Sequence, residues 1–331
     1  MSQSFEKLLT ADQKEVVRKN LRELSVLDQR KSVGAFALDW ILILATIVIS
    51  EKFFSPALYL LAVLFIGTRQ HAIAILSHDA AHYRILTNRK ANVWMTNLLA
   101  SWPLFVQLEL YRLSHLQHHQ YTNAPQDPDV IYQKDLWDYQ FPMSAKKLLK
   151  IFAMDFLGFG MIANLKRAAR YTMDAEIKQA VKKDTDQTKH GRLAFYILLA
   201  VALTVFGGWK LYLMYWMLPL FWVLPALLRL RNISEHYGLS RVNELKGSRD
   251  VLCGPIEAWI FAPHNVNLHL VHHLYPSVPF YNLRKFHEVL MTIPAYRDGC
   301  HSNNSYFLPH KDSVWKDLTA TTEEDKVEVI A

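Results

Sequence analysis

Cysteine is nearly missing from this chain. Cys253 and Cys300 are the only two among 331 residues, and no CxxC pair occurs, so neither a disulfide framework nor a thiolate metal site is indicated and the redox state of the compartment stays open. The first 31 residues lack the apolar core of a signal peptide. Lys7, Lys14, Arg18, Lys19, Arg22, Arg30 and Lys31 instead run through a polar arm of mixed charge. No nucleic-acid module is present either. The formal charge is +7 and the pI near 9.2, but the basic residues are dispersed among apolar spans, so nucleic acid is not expected as a partner. An anionic membrane surface, or loops kept on the cytoplasmic side, accounts for the charge. The paired ExxH pattern by which soluble helix bundles hold two metals through carboxylates is absent from the apolar spans, and no short-period repeat is evident.

What the chain does have is apolar sequence in blocks. Hydrophobic residues make up 51% of it, yet the mean hydropathy is only +0.02, which requires apolar and polar stretches to alternate. Val33 to Ser50 is apolar except for Asp39, and Lys52 is the only cation before a second apolar run opens at Phe53. A hydrocarbon core about 30 Å thick needs roughly 20 helical residues to cross, so the two runs predict a helical hairpin. The helical pattern continues beyond Thr68 through AIAILSHDAAH, which carries His78 on the order of 15 Å past the apolar run. Ala91 to Leu110 is interrupted by Asn92, Asn97, Gln107 and Glu109 and bent by Pro103, and reads as re-entrant or interfacial. Leu148 to Asn164, flanked by Lys166, Arg167 and Arg170, reads as a second interfacial helix, and Tyr171 to Arg192 as a cytoplasmic linker. Leu193 to Phe206 and Leu211 to Leu230 predict a second hairpin, kinked at Pro219 and Pro225. Arg84, Arg89, Lys90, Arg229 and Arg231 place the polar ends in the cytoplasm by the positive-inside tendency.

The expected architecture is therefore all-α and integral to the membrane: four transmembrane helices in two hairpins, with a cytoplasmic helical cap carrying a histidine-rich dinuclear metal site. Its parts are an N-terminal arm (1–32), a first hairpin with the first histidine cluster (33–82), interfacial helices with the second cluster and the linker (83–192), a second hairpin (193–236) and a cytoplasmic cap with the third cluster (237–331). A bacterial inner membrane and the endoplasmic reticulum are not distinguished.

The clusters are HDAAH (His78, His82), HLQHH (His115, His118, His119) and HLVHH (His269, His272, His273), eight of the fifteen histidines. Spacings of three and four residues put imidazoles on one helical face, where they can converge on a metal ion. NISEH adds Asn232 and His236 at i,i+4. Any one cluster has an ordinary explanation as a polar helix end, but all of them fall just beyond apolar spans and are predicted on one side of the membrane. Imidazole suits zinc, copper, nickel and iron alike. Nine imidazoles are too many for one tetrahedral ion and too few to saturate two octahedral ones, which favours two irons with open positions. Asp79, Asp127, Asp129 and Glu235 are candidates to receive the second ring N–H of a ligating imidazole. His71, His190, His264, His287, His301 and His310 lack the clustering and read as ordinary hydrogen-bonding residues.

HDAAH, HLQHH with its downstream YTNAPQDPD, and HLVHHLYPSVPFYNL resemble the three histidine boxes of the membrane fatty acid desaturase family, over roughly His71 to Leu290. The resemblance implies two irons held by His78, His82, His115, His118, His119, His236, His269, His272 and His273, with Asn232 joined to one metal through water. It further implies dioxygen as co-substrate, a lipid or acyl substrate, and a cis double bond as product. Three residues between the histidines of the first box match acyl-lipid members, whereas acyl-CoA members typically have four. The third box opens on His269 in place of Gln and no fused b-type cytochrome is present, which disfavours front-end desaturation. Electrons must then come from a separate ferredoxin or b-type cytochrome with its reductase, for which the basic stretch Arg241 to Arg249 is a possible dock. A lipid hydroxylase or carotenoid ketolase on the same irons is the nearest alternative. A membrane metal transporter or storage protein is another, but it calls for ligating groups within the spans.

Overall fold

The structure is a computed structural model. It describes residues 4–162, 188–239, 243–308 and 312–319. Lys166, Arg167, Arg170, most of the expected linker from Tyr171 to Arg192, Arg241 and His310 lie outside the described residues. Helices in order are α1 (Ala11–Leu24), α2 (Gln29–Lys52), α3 (Pro56–Ala81), α4 (Arg89–Thr96), α5 (Leu108–Tyr121), α6 (Pro128–Gln133), α7 (Ala145–Phe156), α8 (Lys189–Val205), α9 (Leu218–His236), α10 (Pro255–Phe261), α11 (His269–Leu274), α12 (Leu283–Met291), α13 (Pro294–Arg297) and α14 (Val314–Thr319). Among the described residues the only sheet is one parallel pair of two-residue strands, β1 (Asp250–Val251) and β2 (Ser302–Asn303). The chain divides into two compact units, Met1–Val26 with Gln117–Phe152 and Arg229–Ala331, and Leu27–Leu116 with Ala153–Leu228.

The second unit holds most of the long apolar sequence. Three described helices are long and apolar enough to cross a membrane: Gln29–Lys52, Pro56–Ala81, and Trp209–His236, which continues into α9. Asp28 starts α2 by accepting from the Arg30 N–H. Ser55 caps α3, with Pro56 at its first position, where the missing N–H costs nothing. α3 is the most enclosed of the three. α2 turns Leu38, Ile41, Leu44 and Val48 outward, and α8 buries nothing and exposes Leu193, Ile197, Leu198, Val201 and Val205. Such faces suit acyl chains. With 17 residues, or about 25 Å, α8 is at the short end of the range that crosses a hydrocarbon core.

Several polar groups inside the unit are matched to one another, as a medium without water demands. Asp39 and Arg69, both buried, pair at 3.3 Å. Ser50 shares a hydrogen bond with Tyr215 (2.9 Å), which donates to Glu51 (2.7 Å). Two stretches widen into π-helical turns, Asn97–Ser101 and Tyr212–Met217. In each, a side chain takes a carbonyl of the wide turn: Trp40 Nε1 donates to Leu99 O (2.9 Å) and Gln70 Nε2 to Trp216 O (2.8 Å). Trp40 and Trp216 also stack, 5.1 Å apart.

The stretch from Ala91 to Leu110 is broken into α4, the first π turn and an irregular bend through Pro103 and Phe105, so it is not one crossing helix. The expected helix from Leu148 to Asn164 starts three residues earlier and is interrupted after Phe156, where Gly158 takes φ +88, before helix resumes at Gly160; residues 163 and 164 lie outside the described residues. Of the two prolines expected to kink the last span, Pro225 lies inside α9 and Pro219 is its second residue, just after the π turn.

In the first unit the N-terminal arm is part of the core. Thr10 and Gln13 form a reciprocal capping box at the start of α1. Val17 then packs with Phe5, Leu9, Leu270, Val271, Leu283, Phe286, Leu290 and Tyr296, with Leu21 and Leu24 at the edge. Phe5 N–H donates to Glu244 at 2.6 Å.

Removing one partner of the buried Asp39–Arg69 pair takes from the other the opposite charge 3.3 Å away. Arg69→Met is expected to destabilise the protein in detergent by about 3–5 kcal/mol, whereas Asp39→Leu with Arg69→Met is expected to recover most of that loss. Heat or denaturant unfolding of the purified variants measures both, and a double variant no better than the single one contradicts the pairing.

Candidate metal centre

Three imidazoles lie together in the second unit. His78 is in the last turn of α3, His82 caps that helix, and His115 is on α5. His82 Nε2 and His115 Nε2 are 2.9 Å apart, and the His78 ring lies 4.4 Å from His115 and 5.6 Å from His82. The C-terminal carbonyls of α3 have no partners within the helix, and side chains take them. Arg112, one turn before His115, donates to Ala81 O (2.9 Å) and Ala80 O (3.2 Å). Asn92 donates to Ala80 O (3.0 Å) while its own oxygen accepts from Ile85 and Leu86. Tyr111 stacks on His115 at 5.3 Å, and Asp79 Oδ1 stands 3.5 Å from His78 Nδ1.

The first unit holds four more imidazoles, drawn from HLQHH, NISEH and HLVHH. Their Nε2 atoms form a ring: His118 to His236 is 3.1 Å, His236 to His269 2.9 Å, His269 to His273 3.0 Å, and His273 back to His118 3.3 Å. The opposite nitrogen of each ring faces an oxygen. His118 Nδ1 meets both carboxylate oxygens of Asp127, at 2.9 and 3.0 Å. His236 Nδ1 meets Gly247 O at 3.2 Å, and His273 Nδ1 meets Thr122 Oγ1 at 3.3 Å. Glu235 Oε1 is 3.4 Å from His269 Nδ1 and is itself held by Arg231 at 2.7 Å. Thr122 spends its single hydrogen on His118 O (2.8 Å), so toward His273 it accepts. Beside the ring, His119 Nε2 and His272 Nε2 are 3.1 Å apart.

For His118, His236 and His273 these outer oxygens set the tautomers. A neutral imidazole has one N–H, and with that hydrogen on Nδ1 the Nε2 lone pairs all point inward. Nitrogens about 3 Å apart are the edges of a coordination shell with metal–nitrogen bonds of about 2.1 Å. The donor set therefore fits a metal ion. Asn232 Nδ2 donates to Asp129 Oδ2 at 3.3 Å, and its Oδ1 is buried with no hydrogen-bond partner among the described residues. Asp129 Oδ2 lies 3.8 Å from His118 Nδ1.

Ionisation follows the same logic. Burial, helped by Arg84 and Arg112, lowers the His82 pKa to about 3. Burial and the surrounding imidazoles lower that of His273 well below the ordinary value. For His118, burial disfavours the charge but the Asp127 hydrogen bond and the Asp129 charge outweigh it, and its proton affinity rises. Neutral His82 and His273 are in the form that binds metal.

The histidines outside the clusters have other surroundings. His287 bonds to Asp250 (3.1 Å), His301 to Asp317 (2.7 Å), and His264, at φ 55, packs on Phe280. The hydroxyl of Thr122, the carbonyl of Gly247 and the caps from Arg112 and Asn92 were not among the residues expected from sequence. Thr122 lies in the YTNAPQDPD stretch, but a backbone carbonyl such as Gly247 O leaves no sequence signal.

The family model for "Fatty acid desaturase" matches residues 54–303. The chain belongs to the fatty acid desaturase family. It is 28% identical over 260 residues to the dihydrorhizobitoxine desaturase of Bradyrhizobium elkanii, covering 76% of this chain and 73% of that one. It is 24% identical over 286 residues to the sn-1 oleoyl-lipid 12-desaturase of Arthrospira platensis (81% and 75%). It is also 24% identical over 296 residues to the chloroplastic omega-6 fatty acid desaturase of Arabidopsis thaliana (86% and 63%). This desaturase is accordingly a membrane oxidoreductase with histidine clusters able to bind metal.

The lowered imidazole pKa values carry a sign. Above the unfolded histidine value of about 6.5, His82 and His273 are neutral in both states and add no pH dependence. Below it the unfolded chain takes up protons that the folded one refuses, down to about 3 for His82, so stability falls with acid by on the order of 1 kcal/mol per pH unit and group. The metal-free desaturase is expected to unfold at steadily lower temperature below pH 6.5 on account of His82 and His273, and, because His118 holds its proton more tightly folded than unfolded, to lose some stability as the pH rises above 6.5 as well. A melting curve unchanged down to pH 5 contradicts buried neutral imidazoles.

Proposed function

We propose that this desaturase places a cis double bond in the acyl chain of a membrane lipid, using two irons, dioxygen and two electrons. The observation that carries the reading is the ring of four Nε2 atoms from three separate sequence motifs, each with an oxygen on its far nitrogen. Purely structural histidines have no reason to turn four lone pairs on one point. His118, His236, His269 and His273 would hold one iron, with Asn232 reaching it through water. His78, His82, His115, His119 and His272 complete the set of ligands that the family resemblance assigns to the two irons. His115 and His119 are four residues apart on α5, so helical periodicity turns both to one face. Asp79, Asp127, Asp129 and Glu235 would orient the ligands and raise their basicity.

An alkyl methylene has no acidic hydrogen and no leaving group, so acid, base or nucleophile cannot activate it; bound iron supplies the oxidant. Two hydrogens leave the chain, and dioxygen, two electrons and two protons complete the formation of two waters. The protein's own part is to hold the imidazoles neutral and aimed, and to keep the acyl chain bent beside them. Electrons come from a separate ferredoxin, or from a b-type cytochrome with its reductase. α8 serves as a fourth membrane span, pairing with Trp209–His236, and the histidines lie on the cytoplasmic side, where Arg84, Arg89, Lys90, Arg229 and Arg231 also stand.

The three-residue spacing in HDAAH supports a lipid-bound acyl substrate, and so does the relative named for an oleoyl-lipid. Similarity to a dihydrorhizobitoxine desaturase over 73% of that protein's length supports a second reading, in which the substrate is not a fatty acyl chain. Expression in a host of simple lipid profile, followed by mass spectrometry of its lipids, separates these. Acyl chains lighter by two hydrogens are expected. Chains heavier by one oxygen indicate hydroxylation, and unchanged lipids favour the second reading. His272→Ala is expected to insert normally and to lose more than about 100-fold in turnover, beyond the usual cost of losing an outer partner. Full activity in that variant removes His272 from the ligands.

A further inference from the structure

The helix that carries the third box lacks a cap of its own. Leu268 precedes the first turn of α11 and its side chain accepts no hydrogen bond. The N–H groups that a capping side chain normally takes are those of the second and third helical residues, here Leu270 and Val271. Both donate to one oxygen, Asp250 Oδ1, at 2.9 and 3.4 Å. Asp250 lies in β1, far upstream in sequence, and is 1% exposed.

Its second oxygen is equally engaged. Oδ2 accepts from His287 Nδ1 on α12 (3.1 Å) and from the Tyr296 hydroxyl on α13 (2.9 Å). Burial and the Asp250 charge hold the Tyr296 phenol well above its ordinary pKa, so it stays a donor. The neighbours of Asp250 reach the other ligand helix. Arg249 N–H donates to Glu235 O (3.2 Å), and Gly247 O accepts from His236. Val251 N–H donates to Asn267 O (2.8 Å) on the approach to α11. The short segment from Gly247 to Val251 thus ties the end of α9 to the beginning of α11.

We propose that Asp250 is a positioning residue of the metal centre: its carboxylate supplies the missing cap of α11 and anchors that turn to α12 and α13, thereby fixing the aim of His269 and His273. A helix of six residues has too few internal hydrogen bonds to hold its own geometry, while an imidazole lone pair tolerates little misdirection. The inference rests on the reading that the four-imidazole ring holds iron.

The test is made on the full-length protein in detergent, loaded with ferrous iron. Iron per chain and resistance to a competing chelator are measured, together with the visible spectrum of the cobalt(II)-substituted protein. Asp250→Ala is expected to weaken metal retention by about 10–100-fold and to alter the cobalt spectrum. Asp250→Asn keeps an oxygen for Leu270 and Val271, and is expected to restore retention to within about threefold and to return the spectrum. Where Asp250→Ala does not fold, Tyr296→Phe replaces it. That variant removes one anchor, leaves the cap, and is expected to weaken retention by about threefold or more. Wild-type retention and spectrum in these variants overturn the inference alone, as does an asparagine variant as impaired as the alanine. A wild-type protein that takes up no iron overturns the iron reading and this inference with it.

Discussion

Lone pairs that face one another at 2.9–3.3 Å repel, and the first unit holds four of them in that position. The arrangement persists because the rings are held from behind. Asp127, Gly247 O and Thr122 draw on the outer nitrogens of His118, His236 and His273, Glu235 stands 3.4 Å from that of His269, and those partners are gripped in turn. Asp127 accepts from the backbone of Asn123 and Asp129 (2.8 and 2.9 Å), and Arg231 holds Glu235. Gly247 O also accepts from Asn123 Nδ2 (2.6 Å). The surrounding fold is a framework for keeping nitrogen atoms close that would otherwise separate, and a cation between them converts that repulsion into binding.

The second unit meets a different constraint with the same economy. Its helices stand in an apolar medium, where an unmatched polar group is costly, yet α2 and α3 carry Asp39, Ser50, Arg69 and Gln70. Each has a partner within the unit: charge with charge, hydroxyl with phenol, and the Gln70 amide nitrogen with the carbonyl of a π turn. α3 then extends past its apolar portion to present His78. Arg112 and Asn92 close its exposed end, which places His82 at a capped terminus rather than a frayed one.

The spacing of the histidines made the family legible before any coordinates, because metal ligands on helices must recur at three and four residues. The carboxylates near the rings were legible for a related reason: Asp79, Asp127, Asp129 and Glu235 all lie close in sequence to a box. Groups that act over distance or through the backbone were hidden. Asp250 caps a helix many residues away, and Gly247 contributes only its carbonyl. Val17, Leu21 and Leu24 sit in an arm whose high charge reads as solvated, yet they pack on the core of the first unit. Apolar runs announced the membrane helices but not their ends. α8 runs from Lys189 to Val205 where the apolar run suggested Leu193 to Phe206, and the π turns have no compositional mark.

Those π turns bear on how sequences of this kind can change. A wide turn holds one more residue than the α-helix it replaces, and here the extra length gives Gln70 a carbonyl at Trp216 to bind. Deleting a single residue between Tyr212 and Met217 would tighten the turn, withdraw that acceptor and strand a buried amide. A relative one residue shorter in this stretch should therefore carry an apolar side chain at the position of Gln70, so that a gap in one helix and a substitution in another are inherited together.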